Sequence, residues 1–519
     1  MEKKIKILWA DDEIDMLKPQ LFFLEKKGYD VITVSNGHDA LDVLNEDNEV
    51  DVVFLDESMP GLSGLETLSR IKAGNANIPI VMITKNEAEN IMEDAIGAEI
   101  DDYLIKPVNP NQILLSLKKI VDNKRLVSEK TASDYQQEFR NIVMEIHNGP
   151  DYEEWVEIYR KIIGWELRLD SSNNPEMNEI LTMQKQEANK EFSKYVIKNY
   201  EEWMQNQEGP TKSHDLLKKK VFPKLDSEKS TILLLMDNLR YDQWKIIEPI
   251  IAEYYRVEEE DYFFSILPTS TQYSRNAIFA GMLPSEIEKH YPDWWVNDNE
   301  DGGKNLKEAE LLKTQVKRLV KKDCKVDYVK VTNVSKAKSL NDNVLNYVNN
   351  DLTAIVYNFI DMLSHARTEM EVLKELAGDE KAYRSLTRSW FVNSPLWSSL
   401  KKLSERNVQV FITTDHGTIR VGQPSRVIAD RDTTTNLRYK VGKNMQYNKK
   451  DVLELKNPNS VGLPRPNVSS TFIFAKEDKF FLYPNNYNYY NNMYTDTFQH
   501  GGISLEEIVC PIIRLTPRT

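Results

Sequence analysis

The sequence predicts an α/β protein in three parts: a doubly wound (βα)5 unit over residues 1–120, a helical-bundle connector over 121–222, and a larger α/β domain over 223–519. Three observations predict it. Short apolar runs alternate with amphipathic stretches through the first 120 residues, the pattern of a parallel sheet covered on both faces. The next stretch, to residue 222, shows no strand pattern. Beyond it, four segments repeat one design, an apolar run that leads into Asp or His.

Composition narrows the function. The 519 residues include 67 Lys and Arg against 81 Asp and Glu, a formal net charge of −14, with 40% hydrophobic and 29% charged residues. That balance is globular, and its sign disfavours a DNA-coating protein or a polybasic membrane anchor. The acidity is local. Residues 1–120 hold 12 Lys and Arg against 23 Asp and Glu, a net of −11, which leaves −3 for the other 399. Cys324 and Cys510 cannot build a disulfide framework, which fits a reducing compartment. The first residues lack the apolar core and cleavage site of a signal peptide. Apolar runs such as Thr231–Met236 are far too short to span a membrane. A cytoplasmic protein without membrane insertion is expected.

In the first part the expected strands are Ile5–Trp9, Val31–Ser35, Val52–Leu55, Ile80–Thr84 and Asp102–Ile105. Helices are expected at Leu17–Lys27, Asp39–Leu44, Leu65–Ala73, Ala88–Ile96 and from Asn109 onward. Ligands of such sheets sit at the carboxyl ends of the strands. There, Asp11 and Asp12 close the first strand, Asp56 the third and Thr84 the fourth, and Lys106 follows the fifth. Converging carboxylates repel unless a hard cation sits among them, and Mg²⁺ is the natural one. Asp56 could then accept a phosphoryl group while Mg²⁺ and Lys106 neutralise the growing charge and Thr84 bonds a phosphoryl oxygen. A single strand-end Asp is more often a helix cap; a set spread over separate strands is not.

This segment resembles the receiver domain of two-component response regulators, through Asp11-Asp12, the run Asp56-Glu57-Ser58-Met59-Pro60-Gly61, Thr84 and Lys106-Pro107. The resemblance implies phosphorylation of Asp56 by a sensor histidine kinase, with the Ser58 carbonyl among the Mg²⁺ ligands. It also implies that Tyr103 is an aromatic switch that rotates as Thr84 moves, and that the face of the fourth helix and fifth strand mediates dimerisation.

In the connector, Tyr135–Ile146, Tyr152–Trp165 and Met177–Trp203 place apolar residues at helical spacing among Glu, Lys and Gln. Turn signals interrupt them at His147–Pro150 and Leu169–Pro175. Three or four helices that pass the receiver's state onward are expected, with Trp155, Trp165 and Trp203 in their core. No helix-turn-helix pair with a basic recognition helix is evident, so direct duplex DNA binding is not expected.

In the last part the repeated design reads Thr231–Asp237, Ala354–Asp361 followed by His365, Val408–Asp415 followed by His416, and Phe498–His500 before the strand Ile508–Leu515. Mixed His and Asp ligands suit Zn²⁺, or alternatively Mn²⁺, better than Mg²⁺ or Ca²⁺. Asp361 and His365 lie four apart, so one helical turn could aim both at one ion. In order, Asp237, Thr269-Ser270-Thr271, Asp361 with His365, Asp415-His416 and His500 resemble the alkaline phosphatase superfamily. Within it the match is to the PglZ domain, whose Asp-x-Leu-Arg-Tyr-Asp stands here as Asp237–Asp242 and whose His-Gly-Gly stands as His500–Gly502. The resemblance implies two Zn²⁺ ions. One would be held by Asp361, His365 and His500, the other by Asp237, Asp415, His416 and the nucleophile Thr271, which would attack phosphorus and pass through a phospho-threonine.

An insertion at about 421–497 carries Arg426, Arg431, Arg438, Lys440, Lys443, Lys449, Lys450, Lys456 and Arg465 near Tyr439, Tyr447 and a Tyr483–Tyr494 cluster. It reads as a surface loop or as a basic, aromatic cap over a nucleotide. A receiver joined by helices to a PglZ domain is the arrangement of PorX-type response regulators, a resemblance that covers the chain. It implies a role in type IX secretion and an extracytoplasmic-function sigma factor as partner. The expected function is a zinc-dependent phosphodiesterase controlled by Asp56 phosphorylation and acting on cyclic or linear oligonucleotides, with a phosphate monoesterase as the enzymatic alternative. From another class, the alternative is a non-catalytic metal-bound platform whose phosphorylation-driven homodimerisation controls sigma-factor binding.

Overall fold

A computed structural model describes residues 4–46, 50–74, 78–85, 100–170, 175–206, 208–225, 229–320, 323–363, 378–430 and 433–518, with only the backbone over 121–129. The chain forms two compact units, one of residues 1–137 and one of residues 138–170 and 175–519.

In the first unit, strands β1 (Lys6–Ala10), β2 (Asp30–Val34), β3 (Val52–Asp56), β4 (Ile80–Thr84) and β5 (Asp102–Ile105) pair in parallel in the order β2-β1-β3-β4-β5. Helices α1 (Lys18–Lys26), α2 (Gly37–Glu46) and α3 (Gly64–Gly74) connect the first four strands, and α4 (Pro110–His147) follows β5. Side chains alternate across a strand. Trp9, Phe54 and Ile83 therefore pack to one side with Leu24, Ile113 and Leu117, while Leu8, Val53 and Met82 pack to the other with Ala40, Leu68 and Ile71. Both faces are dry, which is why these strands read as continuous apolar runs. The strand order reverses between β1 and β3, and the carboxyl ends there present Asp11 and Asp56. The expected helix Ala88–Ile96 lies outside the described residues.

The helices expected separately from Asn109 and at Tyr135–Ile146 are one. Helix α4 runs 38 residues, straight through the expected boundary at 120, because no Gly or Pro interrupts it before Gly149-Pro150. Helices α5 (Tyr152–Asp170) and α6 (Pro175–Gln205) complete the connector among the described residues. Asp151 caps α5, its Oδ1 accepting from the amides of Glu153 and Glu154 at 2.9 Å each.

The second unit is built on β6 (Ser230–Met236), β7 (Tyr255–Phe264), β8 (Val326–Val331), β9 (Leu352–Tyr357), β10 (Val408–Thr413) and β11 (Val509–Pro517). Among the described residues they form one sheet in the order β7-β11-β10-β6-β9-β8, with β10, β6, β9 and β8 mutually parallel and β11 antiparallel to both its neighbours. Every residue of β6, β9 and β10 is buried. These three adjacent strands lead into Asp237, Asp361 and Asp415, so the sheet itself gathers the acids at one edge.

The insertion is not a surface loop. Its strands form two small sheets, one of Gln423–Ile428, Gln446–Tyr447 and Lys479–Leu482, the other of Tyr439–Gly442, Val452–Leu455 and Thr471–Ala475. Its Tyr-rich stretch is a helix, Tyr487–Tyr494, whose Tyr487 and Tyr494 pack on Ile419, Val421, Phe480 and Leu482. The apolar residues between the basic ones supply these small cores, and they were outweighed in the sequence by Lys, Arg and Asn.

Candidate metal centres

In the first unit, oxygens of Asp11, Asp12 and Asp56 come within 4.8 Å of one another, with Asp11 and Asp56 buried and Asp12 exposed. Lys106 Nζ lies 2.9 Å from both Asp11 Oδ2 and Asp56 Oδ2. Burial pushes the Asp56 carboxyl up, Lys106 holds it down, and Asp11 pushes it up again. Three acids around one ammonium leave a deficit of positive charge, and an all-oxygen donor set suits a hard divalent cation. Thr84 Oγ1 donates to the Glu57 carboxylate. Tyr103 is 40% exposed, and Ser58 is exposed in the loop after β3. The structure therefore gathers Asp11, Asp12, Asp56 and Lys106, places Thr84 on Glu57 and leaves Tyr103 partly exposed.

In the second unit, ligand atoms of Asp237, Asp415 and His416 lie within 4.8 Å of one another, all buried. Of the three successive hydroxyls, Thr271 Oγ1 is the one that joins them, 3.4 Å from Asp237 Oδ1 and 3.3 Å from His416 Nε2. Thr269 serves a different loop, accepting from the Gly501 amide and donating to the Gly502 carbonyl, both at 3.0 Å. Beside this cluster, His500 Nε2 lies 3.8 Å from Asp361 Oδ1. The His416 and His500 rings stack with centroids 4.2 Å apart, so the two groups adjoin. His365 lies outside the described residues.

Backbone details aim these side chains. Asn238 adopts a left-handed conformation (φ 67°), which Asn tolerates, and its amide reaches Asp415 Oδ1 at 3.3 Å. Each histidine engages a carbonyl through Nδ1, His416 with Gly417 and His500 with Thr269, both at 3.1 Å. That contact orients Nε2 toward the carboxylates, the usual outer support of a ligating imidazole. Gly501 has φ 121°, and a Cβ on Gly502 would fall 2.4 Å from the Ala475 carbonyl, which accounts for two glycines after His500.

Electrostatics favour a cation here too. Burial pushes Asp237 up to about 8, against the pull of Arg275 and with Asp415 and Asp361 adding to the rise. Burial likewise raises Asp415 and lowers His416, keeping the imidazole neutral. Asp415 Oδ2 is buried without a hydrogen-bond donor among the described residues. A buried carboxylate oxygen in that position is costly unless a cation meets it. A set of carboxylates and imidazoles is a fitting donor set for zinc or a similar ion.

Three residues were not singled out from the sequence. Arg275, buried one helical turn after Thr271, donates to Asp237 Oδ2 and Glu308 Oε1 at 2.7 Å each and lies 3.8 Å from Asp415 Oδ2. Its spacing from Thr271 was the available signal; Glu308 had none. Glu507 receives the Arg438 guanidinium and the Gly502 amide, the latter at 2.9 Å, and so braces the His500 loop. Arg438, expected among phosphate-facing cations, is thus buried as a structural partner, and Lys440 is buried beneath Tyr483. A cleft of about 970 Å³ beside His500 is lined from the insertion by Asp430, Thr433, Thr434, Asn436, Tyr439 and Lys443, and among the described residues Lys443 is the expected basic residue found on it. Arg431 lies outside the described residues.

The fold and these centres define a class: a phosphoacceptor receiver joined by helices to an alkaline phosphatase-like effector. Comparisons agree. Residues 7–118 match the response regulator receiver domain, 125–204 the PorX response regulator linker domain, and 216–515 the BREX system PglZ alkaline phosphatase-like domain. The chain belongs to the PorX-type response regulators and carries a PglZ domain. Curated relatives include the alkaline phosphatase synthesis transcriptional regulatory protein PhoP of Bacillus subtilis, 30% identical over 152 residues, 29% of this chain and 62% of that one. Another is the transcriptional regulatory protein CpxR homolog of Haemophilus influenzae, 32% identical over 146 residues, 28% of this chain and 62% of that one. The chain thus spans 62% of the length of these relatives. Among solved structures, a receiver domain from Clostridium thermocellum is 31% identical, covering 24% of this chain and 98% of its own, with a TM-score of 0.23. A receiver implies a phosphodonor such as a histidine kinase. Among the described residues no helix is long and apolar enough to cross a membrane.

Proposed function

We propose that this chain is a cytoplasmic response regulator whose effector is a zinc-dependent phosphodiesterase with Thr271 as nucleophile, controlled by phosphorylation of Asp56. The observation that carries it is the Thr271 hydroxyl at 3.3–3.4 Å from both His416 Nε2 and Asp237 Oδ1, in a buried cluster suited to a divalent ion. Zinc held by Asp237, Asp415 and His416, with a second ion on Asp361, His365 and His500, would supply positive charge to the nucleophile, the phosphoryl oxygens and the leaving group. The chain's own residues do the rest. Thr271 Oγ attacks phosphorus as the bond to one leaving oxygen breaks, which gives a Thr271 phosphodiester that keeps the substrate's other ester group, and water then cleaves the bond to Thr271. Arg275 holds the outer oxygen of Asp237, which leaves Oδ1 turned toward Thr271.

The cleft of about 970 Å³ beside His500, lined by Tyr439, Lys443, Asp298 and Asp430 among hydrogen-bonding side chains, has room for a cyclic or linear oligonucleotide, and its size supports that substrate over a small monoester. In the receiver, Asp11, Asp12, Asp56 and the Ser58 carbonyl would hold Mg²⁺, with Lys106, Thr84 and Tyr103 responding to the phosphoryl group. A sensor histidine kinase, phosphorylation-dependent homodimerisation, an extracytoplasmic-function sigma factor and type IX secretion complete the reading. The experiment is hydrolysis of bis-p-nitrophenyl phosphate and a dinucleotide by zinc-loaded wild type and Thr271→Val. We expect turnover by wild type and a loss of about 10³-fold or more in the variant. No turnover by zinc-loaded wild type would favour the non-catalytic platform, and equal turnover by both proteins would remove Thr271 from its role.

A further inference from the structure

One connector helix touches both loops that complete the second-unit site. From the middle of α6, Asn189 Oδ1 accepts from the Leu505 amide at 2.8 Å and its Nδ2 donates to Glu506 Oε2 at 3.0 Å. One turn on, Ser193 Oγ donates to the Ile503 carbonyl at 3.4 Å. These residues follow His500-Gly501-Gly502 directly. Two turns further, Tyr200 OH accepts from the Leu267 amide at 2.8 Å, immediately before Pro268 and the Thr269–Thr271 turn. Asn189, Ser193 and Tyr200 are all buried.

The two loops are tied to each other as well. Thr269 bonds Gly501 and Gly502, and its carbonyl meets His500 Nδ1. A helix has a fixed rise of about 1.5 Å per residue, so Asn189 and Tyr200 act as two points on one ruler laid across the His500 loop and the Thr271 turn. None of these α6 side chains belongs to the ligand or nucleophile set, and their polar atoms meet backbone or an outer carboxylate.

We infer that Asn189 and Tyr200 are positioning residues, through which α6 sets the distance between His500 and Thr271. This rests on the proposed function of the same site. An axial shift of α6 would move both loops at once, so the connector biases how nucleophile and ligands assemble, in addition to the direct bonds between the loops.

The test uses the full chain with Tyr200→Phe, Asn189→Ala and, as a control on the same helix, Tyr195→Phe. Three quantities are read: the visible spectrum and stoichiometry on titration with Co²⁺, kcat and KM for bis-p-nitrophenyl phosphate, and melting temperature. Tyr200→Phe keeps the ring and loses only the oxygen facing Leu267, so its melting temperature should stay near wild type while kcat falls about tenfold or more and KM changes by less than about twofold. Asn189→Ala should weaken one Co²⁺ equivalent roughly 10-fold and alter its spectrum. The control should match wild type throughout. Should wild type prove inactive while Asn189→Ala still perturbs Co²⁺ binding, the positioning role stands and the catalytic reading fails. An active wild type with both variants unchanged in kcat and Co²⁺ titration would overturn the inference alone. A change confined to melting temperature would overturn it too, leaving both residues as structural supports.

Discussion

Arg275 sits where a cation is most needed, between Asp237 and Glu308 and near Asp415. Removing one partner of such a buried group strands the others, typically at about 3–5 kcal/mol. Arg275→Met should therefore lose about that much stability in metal-free protein, measured by urea unfolding in chelator. Zinc should restore part of the loss, because it would neutralise the same two aspartates; a zinc-independent loss would separate Arg275 from the metal site. The ligand residues were legible because strand-end Asp and His follow apolar runs in sequence. Arg275 and Glu308 were not, since their pairing depends on packing between segments 33 residues apart. Arg438 misled in the opposite direction: a basic side chain in a Tyr-rich insertion looked phosphate-facing, yet it is committed to Glu507.

Among the elements, the connector is joined to helices flanking the second-unit sheet by a buried charge network. Arg384, on the helix Glu380–Asn393, donates to Glu166 of α5 at 2.8 Å and to Asp242 at 3.1 Å, and Lys185 of α6 meets Glu166 at 2.8 Å. Asp242 also takes the Arg240 guanidinium at 2.9 Å. This explains the Arg and second Asp of the Asp237–Asp242 motif: they tie its helix, Tyr241–Ile251, to Glu380 and Arg384 of the helix Glu380–Asn393, and through Arg384 to the connector, with Asp237 left for the site. Burial alone would raise Glu166, but Lys185 and Arg384 outweigh it and hold the carboxyl at about 2, below its ordinary 4.5. A depressed folded value means the stabilisation is complete above about 4.5 and drains away as pH falls toward about 2. Glu166→Gln should be less stable than wild type near neutrality, and the gap should close over that acid window in urea titrations. A gap independent of pH would show that the network contributes no ionic stabilisation. Helical periodicity revealed α4, α5 and α6; their partners in the effector domain were invisible because the pairs lie far apart in sequence, Tyr200 and Leu267 by 67 residues and Glu166 and Arg384 by 218.

For the whole molecule, the account joins a phosphoacceptor to a hydrolytic site through one chain. Beryllium fluoride with Mg²⁺ mimics the phosphoryl group at Asp56, and sedimentation should then report a dimer for wild type and a monomer for Asp56→Asn. A wild type that stays monomeric would remove dimerisation from the account. The division of charge bears on both ends: −11 resides in residues 1–120, where Asp11, Asp12 and Asp56 would surround a divalent cation, and only −3 in the other 399 residues, so the acidic total does not argue against a phosphate-bearing substrate for the proposed site. The most direct test of the central claim is mass spectrometry of the Thr271 peptide after acid quench of zinc-loaded full-length protein turning over bis-p-nitrophenyl phosphate. A p-nitrophenyl phosphoryl ester on Thr271, absent when substrate is omitted, is the expected result. Steady turnover with Thr271 unmodified at every quench time and an ester on another residue would contradict it.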